Sequence, residues 1–221
     1  MIALIDYGAG NLRSVENALA RLGADCAITA EPAEVVAATA IVFPGVGAAG
    51  PAMAALRDRG LDRAVTGAIR RGVPFLGICL GMQLLFESSA EDGASGLGVL
   101  PGTVERLQTD AKLPHVGWNT VERVRPHPVL DGMEGEAFYF VHSYVVVPAD
   151  ADVPAAETAH GARFVSAIAR DRLVGVQFHP ERSGRAGLRL LANFVRFTAG
   201  ERGSALRTPP SRPLSVEGAG T

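Results

Sequence analysis

The sequence predicts an α/β fold in which a mainly parallel sheet is covered by helices on both faces. Apolar strand patterns alternate with amphipathic helix patterns in the first two-fifths of the chain, and such alternation joins parallel strands through right-handed crossovers. The strand patterns are apolar at consecutive positions, as expected for a sheet that is buried on both faces. From about Leu97 onward, short β-rich runs follow one another, which predicts additional mixed or antiparallel strands.

The first part of the chain supplies the parallel strands and their helices. Apolar runs of strand length predict three strands: Ile2–Ile5, Ala40–Phe43 and Val73–Leu76. Amphipathic runs, each followed by a glycine that favours a helix end, predict two helices: Asn11–Leu22 and Leu61–Arg71. A further helix is predicted after the third strand, over Met82–Glu87. These elements build the core of the predicted sheet.

The second part of the chain is predicted to be rich in strands and to end in one helix. Runs separated by Pro and Gly predict six strands: Val104–Leu107, Thr120–Val124, Ala137–Val141, Tyr144–Val147, Phe164–Ala169 and Leu173–Phe178. The last helix is predicted at Ala186–Thr198, with four candidate core residues: Leu190, Leu191, Phe194 and Phe197. From Gly200 the chain becomes rich in Gly and Pro, so we expect one domain over residues 1–199 and a disordered tail over 200–221.

Composition and charge exclude several classes of protein. A net charge of −2 argues against nucleic acid or an anionic membrane as the main partner. The two cysteines, Cys26 and Cys79, provide no disulfide framework, which fits a reducing compartment. No apolar stretch reaches the length of a membrane span, and the N-terminus lacks the basic region of a signal peptide. We therefore expect a cytoplasmic protein.

The segment Gly77–Gly81 has the pattern of a nucleophile on a sharp strand-to-helix turn. Glycines stand two residues before and two residues after Cys79, where a tight turn leaves no room for Cβ atoms. A thiol at a helix N-terminus is favoured in its thiolate form by the helix dipole. The alternative is that Cys79 is a small buried apolar residue, as most free cysteines are. The pentapeptide alone does not decide between the two.

A base and its orienting group are predicted 100 residues further along the chain. His179 follows the predicted strand Leu173–Phe178, and Pro180 ends that strand. Glu181 is close enough in sequence to hold one ring nitrogen of His179, as the acidic member of a catalytic triad does. The glycine-rich turn Pro44–Gly47 follows another strand and offers accessible amides for an oxyanion, although such a turn alone is weak evidence.

Three stretches together resemble the class I (triad) glutamine amidotransferases: Pro44–Gly47, Gly77–Gln83 and Gln177–Glu181. The resemblance covers about residues 1–198 and implies a three-layer αβα fold, with a central, mainly parallel sheet and additional antiparallel strands. It implies that Cys79 attacks the side-chain amide of L-glutamine, that His179 relays the proton and that Glu181 orients His179. No cofactor and no metal are expected.

The same resemblance assigns the residues around the triad. It implies an oxyanion region at three positions: Val46, Gly47 and Leu80. It implies a glutamine pocket at three others: Gln83, Ser143 and Tyr144. Two further stretches, Lys112–Asn119 and Phe138–Tyr144, narrow the match to glutaminase subunits that pass ammonia to a cyclase subunit in histidine biosynthesis. That cyclase is a (β/α)8 barrel, and the two subunits form a heterodimer.

Four residues are then implied at the partner interface, near the ammonia exit: Trp118, Asn119, Tyr139 and Arg182. Members of the family commonly carry Lys and a second Ser after the His-Pro-Glu motif, whereas this chain has Arg182-Ser183-Gly184. Arginine keeps the charge but not the geometry of an ammonium group, so we expect different contacts there.

Three alternatives stay open from the sequence. A glutaminase subunit could serve another synthase, such as pyridoxal phosphate synthase, although the Lys112–Asn119 and Phe138–Tyr144 stretches argue against it. A cysteine hydrolase acting alone on γ-glutamyl peptides would use the same triad but would need no partner. A non-catalytic scaffold on this fold would have no need for Cys79, His179 and Glu181.

Overall fold

The computed structural model describes residues 1–200 of the 221-residue chain. The predicted tail, 200–221, therefore lies outside the described residues except for Gly200. The strands are β1 Ile2–Ile5, β2 Cys26–Thr29, β3 Ala40–Gly45, β4 Phe75–Cys79, β5 Ser88–Ser89, β6 Gly102–Arg106, β7 His115–Thr120, β8 Glu122–Arg123, β9 Ala137–His142, β10 Tyr144–Pro148, β11 Pro154–His160, β12 Ala162–Arg170 and β13 Leu173–Val176. The α-helices are α1 Leu12–Arg21, α2 Pro32–Ala37, α3 Ala49–Asp58, α4 Leu61–Arg70, α5 Leu80–Gln83 and α6 Gly184–Thr198.

One large sheet organises the fold. Its strands run in the order β2-β1-β3-β4-β13-β12-β10-β6-β5, and β11 pairs with β12 and β8. The pairs from β2 to β13 are parallel, whereas β12 is antiparallel to β13 and begins the antiparallel part. A separate two-stranded antiparallel sheet joins β7 to β9. The predicted α/β fold, with a mainly parallel centre and additional antiparallel strands, is confirmed.

Two apolar clusters make the fold three layers thick. Alternate residues of a strand point to opposite faces of the sheet. Leu4 of β1 therefore packs into one cluster with Val15 of α1 and Leu190 of α6. Ile5, the next residue, packs into the other cluster with Leu56 of α3. Helices α1 and α6 thus cover one face of the sheet and α2 to α4 the other, which places the core on both sides of β1, β3 and β4.

Several predicted boundaries are wrong. The helix after Cys79 occupies Leu80–Gln83 rather than Met82–Glu87. It stops there because the next carbonyls accept hydrogen bonds from a loop: Leu97 N–H donates to Leu84 O and Val99 N–H to Leu85 O, both at 2.8 Å. The predicted strand Thr120–Val124 is also wrong, because β7 ends at Thr120 and the short β8 begins at Glu122 to pair with β11.

The elements that were not predicted include β2, α2, α3, β5 and β11. Strand β7 was also missed, and it includes most of the stretch that had been singled out at Lys112–Asn119. The predicted last helix is present and begins two residues earlier than expected.

The carboxyl ends of three neighbouring parallel strands meet at one edge of the sheet. Strand β4 lies between β3 and β13, with Gly45 opposite Cys79 in the β3–β4 register. Strand β13 ends at Val176, and His179 follows three residues later. In open α/β sheets, ligands bind outside the carboxyl ends of the strands. This edge is therefore where the fold places a site.

Close backbone packing explains the glycine at position 81. A Cβ atom on Gly81 would lie 1.8 Å from the carbonyl oxygen of Phe43 in β3, far inside any real contact. Gly67, in the middle of α4, is different, because its Cβ would meet only the end of the flexible Arg71 side chain, at 3.5 Å. Position 81 therefore requires glycine, whereas position 67 does not.

We expect Gly81→Ala to lower the free energy of unfolding by about 3 kcal/mol, because the methyl group forces β3 and α5 apart. Urea unfolding followed by circular dichroism measures the change. The matched control, Gly67→Ala, should leave stability equal or raise it by about 0.5–1 kcal/mol, since alanine suits a helix interior better than glycine. Equal stability of the Gly81→Ala variant and the unsubstituted protein would contradict the packing argument.

Candidate active site

Cys79 lies at the turn between β4 and α5. Its backbone has φ 53° and ψ −111°, in a region that residues with side chains rarely adopt. Gly77 and Gly81 permit this turn, because a Cβ on Gly77 would lie 2.7 Å from the Gly81 carbonyl oxygen. Strain of this kind occurs where a side chain has to be held at a site, as in the nucleophile elbows of hydrolases. The side chain of Cys79 is nearly buried and lines a cavity.

His179 and Glu181 form a buried pair at the end of β13. The Nδ1 atom of His179 lies 3.0 Å from Oε1 of Glu181, and both side chains are almost fully enclosed. The Ser183 hydroxyl donates to the His179 carbonyl at 2.6 Å and accepts from the Tyr139 amide at 3.0 Å, which ties this segment to β9. Because Nδ1 faces the carboxylate, the other ring nitrogen is directed towards the cavity that Cys79 lines.

The electrostatics of His179 favour its protonated form. Burial opposes the charge, but the interactions with Cys79 and Glu181 outweigh it and raise the pKa of the imidazole to about 10. The Nε2 atom makes no hydrogen bond of ordinary geometry within residues 1–200, so it is available for proton transfer. Cys79 and His179, which are 100 residues apart in sequence, thus line one cavity, and Glu181 contacts the His179 ring there.

The three residues predicted for the oxyanion region lie at the same cavity. Val46, Gly47 and Leu80 all line it, beside Cys79. The amide of Val46 donates to the Tyr7 hydroxyl at 3.2 Å, so in this conformation it is not free to bind an oxyanion. Burial raises the pKa of Tyr7 to about 12, which keeps its hydroxyl protonated. Tyr7 was not predicted as a site residue.

The cavity has a volume of about 390 Å³ and contains the predicted pocket residues. Gln83, Ser143 and Tyr144 all line it. It also contains Glu91, which the sequence analysis missed and which is the only carboxylate on its wall among the described residues. Burial and the neighbouring Asp92 raise the pKa of Glu91. The acidic pair Glu91-Asp92, so soon after the elbow, was the sequence pattern that could have drawn attention to it.

A hydrogen-bonded histidine pair supports one wall of the cavity. His142, which lines the cavity, has Nδ1 3.0 Å from the Tyr144 carbonyl and Nε2 3.0 Å from Nδ1 of His115. A carbonyl only accepts, so Nδ1 of His142 carries its proton and Nε2 accepts from His115. The remaining nitrogen of His115 then accepts from the Asn119 amide at 3.2 Å. Both rings are neutral in this arrangement, and burial lowers the pKa of His142 to about 3 and of His115 to about 4.

The four residues predicted at a partner interface do not all lie together. The side chains of Trp118, Tyr139 and Arg182 form one cluster: the Trp118 and Tyr139 rings meet edge to face at 6.3 Å, and the Arg182 guanidinium lies 4.4 Å above the Tyr139 ring. Trp118 is 59% exposed. Asn119 points to the opposite face of β7, where its amide donates to the Ala159 carbonyl at 2.9 Å as well as approaching His115.

Residues 1–200 contain neither a metal-binding cluster nor a membrane-spanning helix. Among these residues, no cluster of three or more His, Cys, Asp or Glu side chains is arranged to hold a metal ion. None of the helices in the described part of the chain combines the length and the apolar character needed to cross a membrane.

The fold and the site define a class of protein. The family model described as "Glutamine amidotransferase class-I" matches residues 3–197, and the chain belongs to this family. Solved structures agree at the level of the fold. A "Crystal structure of glutamine amidotransferase" superposes with a TM-score of 0.72 at 20% identity, over 90% of this chain and 100% of the other. The "Structure of PurLQS from Thermotoga maritima" superposes with a TM-score of 0.71 at 18% identity, over 89% of this chain and 97% of the other.

Curated relatives narrow the class to one kind of subunit. The protein named "Imidazole glycerol phosphate synthase subunit HisH" from Desulfovibrio desulfuricans is 50% identical over 206 residues, which are 89% of this chain and 94% of the relative. Proteins of the same name from Moorella thermoacetica and Dehalococcoides mccartyi are 51% and 46% identical, over 87% and 91% of this chain and 93% and 100% of theirs.

Burial of neutral histidines predicts a loss of stability in acid. The unfolded chain protonates His142 near pH 6.5, whereas the folded chain does so only near pH 3, so stability falls as the pH drops below 6.5. Between pH 7 and pH 5 we expect this residue alone to lower the free energy of unfolding by about 2 kcal/mol. Urea unfolding of the protein and of the His142→Asn variant at each pH measures how much of the loss in stability comes from His142.

The variant should lose less stability than the unsubstituted protein over that interval, and the difference between the two should stay constant above pH 7.5. The comparison is needed because His179 acts in the opposite sense, holding its proton up to about pH 10 in the folded state. If the free energy of unfolding fell equally in the variant and in the unsubstituted protein from pH 7 to pH 5, His142 would not be buried as a neutral ring.

Proposed function

We propose that this chain is the glutaminase subunit of imidazole glycerol phosphate synthase and hydrolyses glutamine to glutamate and ammonia. The observation that carries the proposal is that Cys79 and His179 line one cavity of about 390 Å³ at the carboxyl edge of the sheet, where Glu181 lies 3.0 Å from the His179 ring. The curated relatives named above favour this synthase over pyridoxal phosphate synthase. The free thiols of Cys26 and Cys79 support the cytoplasmic location that we propose for it.

The chemistry follows from the positions of the three side chains. The Cys79 thiolate attacks the side-chain carbonyl carbon of glutamine, and the C–N bond breaks as the His179 imidazolium gives its proton to the leaving nitrogen. Ammonia leaves and a γ-glutamyl thioester remains on Cys79. Water then attacks the thioester while His179 accepts its proton, which releases glutamate and restores the thiolate–imidazolium pair. Glu181 keeps the imidazole ring in the orientation that both steps need.

The amino-acid end of glutamine is assigned to other residues that line the cavity. Glu91 is the carboxylate that can pair with the α-ammonium group, and Gln83 offers its side-chain oxygen nearby. Ser143 and Tyr144 line the same cavity. The developing oxyanion is stabilised by the amide of Leu80 and by an amide from the segment Val46–Gly47. Since the Val46 amide is bonded to Tyr7 in this conformation, that part of the oxyanion site is incomplete before activation.

The ammonia passes to a cyclase subunit, a (β/α)8 barrel, which makes imidazole glycerol phosphate and an aminoimidazole carboxamide ribonucleotide. The exposed cluster of Trp118, Tyr139 and Arg182 is the surface that we assign to this partner. Exposed Val116 and Val141 extend it on the β7–β9 sheet. Aromatic and arginine side chains on an apolar patch are typical of the centre of a protein interface.

We expect Cys79→Ala to abolish synthesis from glutamine while synthesis from added ammonium salts continues through the cyclase. The test is a nucleotide-product assay on the reconstituted complex with each nitrogen source. Cys26→Ala is the matched control and should keep both activities, because Cys26 lies in β2, outside the residues that line the cavity. Glutamine-dependent synthesis by the Cys79→Ala complex would refute the assignment of the nucleophile.

We expect Glu91→Gln to raise KM for glutamine about tenfold, since a hydrogen-bonded charge contributes about 1.5–3 kcal/mol, and to lower kcat by a smaller factor. Steady-state glutamate release by the complex gives both constants. Glu34→Gln, at an exposed position of α2, is the matched control and should leave KM unchanged. A fall in kcat with no change in KM would place Glu91 outside the ground-state binding of glutamine.

Glutaminase activity should be weak in the isolated chain and should rise when the cyclase and its nucleotide ligand are added. The physical reason is the engaged amide of Val46, which leaves the oxyanion short of a donor. Glutamate release with and without the partner measures the coupling. An equal rate in both samples would favour a hydrolase that acts alone.

A further inference from the structure

A buried glutamine outside the triad contacts the nucleophile. Gln177 is fully buried between the end of β13 and His179. Its side-chain Nε2 donates to the Sγ atom of Cys79 at 3.5 Å. Its backbone amide is fixed as well, because it donates to the Ser166 carbonyl at 2.9 Å. Neither contact belongs to the mechanism described above, although one of them reaches the reacting atom.

The direction of this contact is set by a backbone carbonyl two hydrogen bonds away. The Tyr144 carbonyl only accepts, so the Gln83 side chain must turn its NH2 group towards it, at 3.0 Å. The same NH2 group lies 3.0 Å from the Gln177 side chain, which must therefore present its oxygen to Gln83. The NH2 group of Gln177 is then left facing sulphur. A flipped Gln177 amide would place two NH2 groups against each other.

The chemistry of sulphur makes this direction significant. A thiolate is a strong acceptor, whereas a thiol is a weak one, so an N–H donor aimed at Sγ stabilises the charged form more than the neutral form. The donor comes from a neutral side chain that is held on both sides and has no access to solvent. Within a partly dehydrated cavity, such a fixed dipole stabilises a thiolate by hydrogen bonding, as water does at a protein surface.

We propose that Gln177 is a further catalytic residue, which stabilises the Cys79 thiolate through its side-chain N–H, and that Gln83 and the Tyr144 carbonyl are the positioning groups that impose this direction. The inference rests on the proposed function only in taking Cys79 as the nucleophile. The His179 imidazolium neutralises the thiolate as a partner charge, and Gln177 adds a donor from the neighbouring position of the same segment.

Alkylation of Cys79 by iodoacetamide tests the inference without glutamine or a partner. The full chain carries Cys26→Ala, so that Cys79 is the only thiol, and the second-order rate is measured from pH 4 to pH 10. Gln177→Met keeps the length of the side chain and removes its donor. We expect the midpoint of the rate profile to rise by about one pH unit and the rate below the midpoint to fall about tenfold. Gln108→Met, at the surface, is the matched control and should not move the midpoint.

Two further variants keep the inference falsifiable if Gln177→Met does not fold. Gln177→Glu retains the shape of the side chain but places a carboxylate against sulphur, and it should move the midpoint up by more than Gln177→Met does. Gln83→Met leaves Gln177 in place and removes its orienting contact together with the bond to the Tyr144 carbonyl, so a smaller upward shift is expected. An unchanged midpoint in whichever of these variants fold, judged by circular dichroism and thermal unfolding, would overturn the role of Gln177.

The outcomes separate this inference from the proposed function. A shifted midpoint in a chain that never consumes glutamine would support Gln177 and refute the glutaminase. Glutamine-dependent synthesis by the complex, together with an unshifted midpoint, would do the reverse.

Discussion

The site depends on one close contact, in which the backbone at the start of α5 lies against the backbone of β3 with no side chain between them. Directly after Cys79, which has φ 53°, α5 starts against the carbonyl of Phe43, and that contact leaves no space for a Cβ at position 81. The same closeness puts Gly45 opposite Cys79, where a Cβ would meet the Tyr7 hydroxyl at 2.8 Å. Strained backbone of this kind persists where the surrounding structure fixes it. Here the buried β3–β4 pair and the covering helices do so.

The parallel centre of the sheet converts this local turn into a site with several components. Because β3, β4 and β13 are adjacent and parallel, their carboxyl ends bring the Pro44–Gly47 turn, Cys79 and His179 to one place. The antiparallel part of the sheet then supplies residues that enclose the cavity on a further side. Strand β10 supplies Tyr144, and the β7–β9 sheet supplies His142 and the exposed aromatic cluster. One edge thus carries the residues to which we assign substrate binding, catalysis and the partner surface.

The sequence predicted the parts of the molecule whose cause is local. Cys79 between glycines and His179 before a proline are short patterns with a direct physical meaning, and the strands around them are continuous apolar runs. The fold then brings Cys79 and His179 to one cavity, although they are 100 residues apart in sequence. Residues whose roles arise only from tertiary contacts could not be found in this way. Tyr7 carries no local pattern that separates it from an ordinary core residue, and the acidic pair at Glu91 and the motif at Gln177 do not show that these side chains reach the cavity and Cys79.

Elements were missed for a comparable reason. Strand β2 is short and only partly buried, and β7 exposes Trp118 while it buries His115, which is the reverse of the usual pattern of apolar and polar positions. That reversal makes sense only once Trp118 is seen as part of an exposed cluster and His115 as one member of a hydrogen-bonded pair.

The Tyr144 carbonyl has a consequence for anyone who wishes to redesign this pocket. It accepts from His142 on one side and from Gln83 on the other, so one oxygen atom is shared between a wall of the cavity and the side-chain amides that lead to Cys79. A substitution that enlarges the pocket at position 142 therefore also removes a donor from that oxygen. Under the proposed function, substrate range and the reactivity of Cys79 cannot be adjusted separately, and a library that varies position 142 should vary 83 and 177 with it.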